Sequence, residues 1–170
     1  MTSISMRVDV GGSNKIPHTF LVVVHPDGRV VEYGFAPLVT GFSGVGKIDI
    51  TGSDTEHGPH ESDFEIQPQE LTDVQYQRLM ENINRSIANP PYYIMSGAWT
   101  PGDGTNCTGW AIGVWQDVGL PNTFAVTNSW VWNPYGQAMN ITIANAVNTL
   151  VNAALNWIRP KDPLVLDLDA

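Results

Sequence analysis

Pro17-His18-Thr19-Phe20-Leu21-Val22-Val23-Val24, then His25-Pro26-Asp27-Gly28, then Arg29-Val30-Val31-Glu32-Tyr33-Gly34-Phe35 reads as a β-hairpin. The β-branched and aromatic runs suit a pleated, half-buried surface. Proline presets φ, aspartate bonds its own backbone and glycine takes positive φ, so Pro-Asp-Gly turns the chain. A loop of those three residues closed by His25 and Arg29 sets Glu32 opposite Val22. Because side chains alternate with period two, Glu32 and His18 then share a face but stand four residues apart. A bulge near Gly28 or a tighter turn would move Glu32 opposite Phe20, within diagonal reach of His18.

Around this hairpin the chain predicts a strand over 6–10 and a loop over 41–46. Further strands are predicted at 47–51 and 62–67, the second with Phe64 and Ile66 alternating. Thr72 and Gln75 form a capping box, and Tyr76, Leu79, Met80, Ile83 and Ile87 follow helical spacing until Asn89-Pro90-Pro91. Tyr92–Met95 reads as a strand leading to a glycine-rich loop over 101–106. The run over 108–120 reads as a helix punctuated at its end by Gly119, with Pro121 beyond. Residues 122–137 are aromatic and irregular. A last helix over about 140–158 is predicted to bury Ile143, Ala146, Val147, Leu150, Val151, Ala154 and Leu155. No repeat or linker interrupts the 170 residues, so the fold class is α+β, an antiparallel sheet packed against helices in one domain, 1–170.

The composition narrows function. A net charge of −9, with no Lys/Arg run, opposes binding to phosphate backbones and to anionic lipid heads. No apolar stretch reaches the length of a membrane span. A single cysteine rules out an intramolecular disulfide and a multi-thiolate zinc site; no metal or cofactor is expected. The first seven residues lack the basic start and apolar core of a secretory signal. The chain is therefore expected to be cytoplasmic as made, or exported by a route that reads no such signal.

That cysteine, Cys107, opens the second predicted helix. Unpaired N–H groups and the positive end of the helix dipole favour a thiolate there. A lone cysteine also fits the role of a small buried apolar residue. A nucleophilic thiol needs a base, and all four histidines, His18, His25, His57 and His60, precede it. His25 lies in the turn, where exposure is expected, and His57 and His60 in a polar loop. His18 starts an apolar strand, where a rigid element fixes its direction. Glu32 is the candidate to orient its ring, with Asp63, His60 and Tyr33 as substitutes. Asn106 is the candidate second oxyanion donor beside the Cys107 N–H, and Tyr33 and Trp110 are candidate substrate contacts. Asn128-Ser129-Trp130 looks like the triplet after the catalytic histidine of ordinary papain-like proteases, but no histidine follows Cys107.

A hairpin histidine followed by a helix-start cysteine resembles the circularly permuted papain-like superfamily, which includes permuted NlpC/P60 proteins. The likeness is carried by residues 17–24 with 30–35, by Leu71-Thr72-Asp73-Val74-Gln75-Tyr76, and by Asn106-Cys107-Thr108-Gly109-Trp110-Ala111. It implies Cys107 as nucleophile, His18 as base and Glu32 as third polar residue, in a cysteine-dependent amidase or endopeptidase. Peptidoglycan stem peptides are the implied substrate. For members delivered by type VI secretion to a target periplasm, an immunity protein is the implied partner. A protein-directed cysteine peptidase or deamidase, or an inactive binding module of the same fold, are the alternatives. The acidic charge departs from the basic character of many wall hydrolases. Nor is there the membrane-anchoring helix of lecithin:retinol-type acyltransferases.

Overall fold

A computed structural model describes residues 1–10, 17–52, 62–95 and 104–121, with 138, 141–143, 145–147 and 149–152 farther on. The sheet is built from β1 (Ser3–Asp9), β2 (His18–Val24), β3 (Val30–Pro37), β4 (Ser43–Gly52), β5 (Phe64–Glu65), β6 (Gln69–Glu70) and β7 (Tyr92–Ile94). Two helices are α1 (Asp73–Ala88) and α2 (Cys107–Asp117). The strand order is β5-β1-β2-β3-β4-β7, with β6 also pairing β1, and every strand pairing is antiparallel. The fold is thus α+β, as expected.

The β2–β3 hairpin closes as its turn chemistry requires. The Gly28 N–H donates to the His25 carbonyl at 2.9 Å, the His25 N–H donates to the Arg29 carbonyl at 2.8 Å, and Gly28 sits at φ 86°. Val22 therefore faces Glu32 and Phe20 faces Gly34. The three-residue loop sets the register, and no bulge brings Glu32 opposite Phe20.

Period-two alternation gives the sheet two distinct faces. Ile4, Met6, Val8, Leu21, Val23, Tyr33 and Phe35 form a buried core with Leu79 and Ile83 of α1 and Trp110, Ala111, Val114 and Trp115 of α2. The opposite face carries Ser5, Arg7, His18, Phe20, Val22, Glu32, Gly34 and Thr51, fixed there by the pairings across β1 to β4. Phe20, Val22, Ser5, Glu32 and Thr51 on that face are buried as well.

Thr72 and Gln75 make both reciprocal bonds of the capping box, at 3.3 Å and 3.0 Å, which starts α1 one residue after the cap. Leu79 and Ile83 are buried, whereas Ile87, expected on the same face, is exposed at the helix end. The strand expected to begin at 47 begins at Ser43, since Ser43, Gly44 and Val45 pair with β7. Gly46 is needed where Phe35 crosses it, because a Cβ there would collide with that ring. The strand expected over 62–67 is shorter. Its ladder stops at Glu65, and Gln69–Glu70 pairs separately after Pro68, which lacks a donor. β1 starts three residues earlier than expected because Ser3 and Ile4 pair with both Val24 and Val23 and with Glu70 and Gln69.

The described residues between 138 and 152 are helical, with Ala138 and Ile141 buried. Ile143, Ala146, Val147, Leu150 and Val151 are exposed, contrary to the burial expected from their spacing. Spacing reports an apolar stripe; it does not supply a surface for that stripe to meet. Ala154, Leu155, His57, His60 and the 128–130 triplet lie outside the described residues.

Candidate functional site

Cys107 is the first residue of α2, and Asn106 is its N-cap. The Asn106 side-chain oxygen accepts the Gly109 N–H at 2.8 Å, and its Nδ2 donates to the Met95 carbonyl at 3.2 Å. Asparagine is among the favoured caps because its oxygen satisfies an N–H that the helix leaves unpaired. Asn106 therefore fixes the start of α2, and both ends of its amide are engaged.

The helix head docks on β2. Thr19 and Thr108 are both fully buried, and their hydroxyl oxygens lie 2.9 Å apart. Cys107 is 5 % exposed, and the backbone of Thr19, Thr108 and Cys107 itself, with the Thr108 side chain, acts to lower its thiol pKa. These donors favour a thiolate, yet desolvation is larger, so the thiol stands above its ordinary value. The depressed thiol expected from a helix start is thus overturned by burial.

β7 adds a residue that the sequence did not single out. Tyr93 bridges to Thr105, two positions before Cys107, through bonds of Ile94 N–H to the Thr105 carbonyl at 2.9 Å and Thr105 N–H to the Tyr92 carbonyl at 2.8 Å. Its ring packs on Phe35 at 5.7 Å, and Phe35 stacks on Trp110 of α2 at 6.3 Å. Burial, then the neighbouring Cys107, push the Tyr93 phenol above its ordinary value. A tyrosine in a short strand ahead of a cysteine helix was the only signal available in the sequence.

His18 lies next to Thr19 in the chain but on the other face of the sheet. Its ring stacks along Phe20 at 6.0 Å and occupies the space a Cβ at Gly34 would need. Thr19, not His18, presents its side chain to α2, and no hydrogen bond joins His18 to Cys107 among the described residues. The β2–β3 ladder stops at Phe20↔Gly34, which leaves His18 and Thr19 beyond its end.

Glu32 does not orient His18 here. It is 2 % exposed, accepts the Thr51 hydroxyl at 2.9 Å and faces Arg7 at 4.0 Å. A buried carboxylate is tolerated when donors and a cation meet it. Asp63, a substitute for that role, accepts the Val10 N–H at 2.9 Å. Tyr33 and Trp110 each make a hydrogen bond within the fold. The Trp110 Nε1 donates to Ser86 at 3.0 Å and pins α2 to α1. The Tyr33 hydroxyl lies 3.2 Å from His25 Nε2, while His25 Nδ1 lies 2.8 Å from the Tyr76 hydroxyl. His25 is consequently buried at 4 % exposure, although its place in a turn predicts solvent.

Among the described residues no cluster of three or more His, Cys, Asp or Glu side chains is arranged to hold a metal ion. No helix among them is long and apolar enough to cross a membrane. No protein-family model, curated protein or solved structure matches the chain.

Proposed function

We propose that the chain is a cysteine-dependent hydrolase that cleaves an amide bond, with Cys107 as nucleophile and peptidoglycan stem peptides as substrate. The observation that carries this reading is Cys107 as the first residue of α2, where the unpaired N–H groups of a helix head favour a thiolate. The order of a hairpin histidine and a helix-start cysteine supports the permuted papain-like arrangement within the α+β class.

His18 is the base. In this reading its ring, which rests over Gly34 on the other face of the sheet, must move to reach the sulfur. Imidazole takes the thiol proton, and the thiolate attacks the carbonyl carbon. The tetrahedral oxygen receives backbone donors at the α2 head, the imidazolium protonates the departing amine, and water hydrolyses the thioester. Glu32 serves the sheet and takes no step. Delivery as a type VI effector, with an immunity protein as partner, belongs to the same reading.

A second reading, a binding module without turnover, is favoured by the raised thiol and by the His18 ring lying on the far face. Digestion of purified sacculi separates the two. Hydrolysis is expected to release stem-peptide fragments, and Cys107→Ala and His18→Ala are each expected to abolish release with circular dichroism unchanged. Full activity in Cys107→Ala ends the nucleophile assignment. Iodoacetamide labelling that persists below pH 6 marks a thiolate paired with imidazolium; labelling confined to alkaline pH supports the silent module.

A further inference from the structure

The described helical residues between 138 and 152 hold to the core by one side and show their apolar side to solvent. Ala138 and Ile141 are buried in the core, whereas every described residue from Thr142 to Asn152 is exposed. At roughly 100° per residue, Ile143, Val147, Leu150 and Val151 fall on the side of the helix away from Ala138 and Ile141. Their i, i+4, i+7, i+8 spacing is that of a face that packs, yet all four are exposed, Leu150 at 70 %. The side in line with Ala138 and Ile141 carries Thr142, Asn145, Thr149 and Asn152. Both threonine hydroxyls there bond carbonyls of their own helix, at 3.0 Å to Ala138 and 2.9 Å to Asn145. Helices in proteins draw most of their stability from packing an apolar face, so this stripe calls for a partner.

Charge identifies that partner. The chain carries a net charge of −9, but residues 118–158 contain no Asp, Glu, Lys or Arg. Two copies repel one another elsewhere, and along this helix they meet without apposing like charges. A strongly charged partner finds nothing here to pair with. We propose that this stripe is a homodimer seam, packed antiparallel against the same stripe of a second copy about a two-fold axis. Val147 then faces its own counterpart across the axis. Ile143 and Val151 stand four positions to either side of it, so Ile143 of each copy meets Val151 of the other. Antiparallel packing sets the two acidic bodies at opposite ends of the seam, whereas parallel packing would bring them side by side. The seam does not depend on the hydrolase reading.

The test is sedimentation velocity of the full chain across a concentration series, in which a monomer–dimer equilibrium is expected. Val147→Glu sets two carboxylates against each other across the axis and is expected to raise Kd by at least about 100-fold. Asn145→Glu adds the same charge on the side away from the stripe and is expected to leave Kd within about twofold. Mild oxidation of Val147→Cys is expected to link two copies through position 147, Cys107 being buried, while Asn145→Cys stays unlinked. That second arm decides the matter even where the glutamate variant does not fold. A wild type that stays monomeric throughout the series overturns the proposal, and its capture by phosphatidylcholine vesicles, abolished by Val147→Glu, would assign the stripe to a lipid surface instead. A dimer that Val147→Glu leaves intact overturns the seam as well.

Discussion

The hydroxyl of Thr19 on β2 lies 2.9 Å from that of Thr108 on α2, and both residues are fully buried. This contact is the polar weld between the central strand and the helix head that carries Cys107. Thr19→Val or Thr108→Val alone leaves one buried hydroxyl without its partner, at a cost of about 1–3 kcal/mol. The double variant leaves neither stranded and is expected to cost less than the sum of the two. Urea unfolding midpoints for all four proteins measure this, and strict additivity would show that the hydroxyls are not coupled.

Acidification is expected to weaken the fold through His25. Burial first, then Arg29, hold its imidazole below the ordinary value of 6.5, with Asp27 opposing. The folded state thus binds fewer protons than the unfolded chain. The stability from neutral His25 is present above pH 6.5 and is lost as pH falls through the lowered folded value. Urea midpoints compared at pH 8 and pH 5 should fall further in wild type than in His25→Gln. Equal losses in the two proteins would remove His25 as the source.

Glu32 is expected to matter for stability and not for chemistry. Glu32→Ala removes the acceptor of the Thr51 hydroxyl, while Arg7 keeps its ion pair with Glu65 at 2.9 Å, so a loss of about 1–3 kcal/mol is expected. Glu32→Gln keeps the volume and an acceptor for Thr51, so its loss is expected to be smaller. Turnover per folded molecule is expected to match wild type in Glu32→Gln. A large drop in kcat there, with the fold intact, would return Glu32 to the catalytic group.

Gly34 seats the His18 ring. In Gly34→Ala the new Cβ meets the far end of a side chain that can rotate, so the stability change is expected to stay within about 1 kcal/mol. The ring itself must leave its place. Imidazole NMR shifts of His18 are expected to move while those of His25 remain; unmoved His18 signals would contradict this seat.

Much of the frame was legible in the chain. The Pro26-Asp27-Gly28 turn set both the hairpin and its register, and the Thr72/Gln75 box set the start of α1, since each involves neighbours within a few residues. Ser43–Gly46 read as loop because its glycines look like turn residues; the crossing Phe35 ring and the β7 partner that make it strand come from distant segments. His25 read as exposed because its partner Tyr76 stands 51 residues away. Tyr93 carried no motif at all.

The sequence by itself determined where the hairpin turns, which residues alternate to each face and that Cys107 opens a helix. These follow from backbone preferences and period-two geometry, which act over short spans. Tertiary structure alone decided that burial outweighs the helix-head donors at the Cys107 thiol, that Asn106 spends its amide on capping, and that the His18 ring rests over Gly34. Desolvation and hydrogen-bond partners depend on atoms gathered from remote segments, and no local pattern encodes their sum.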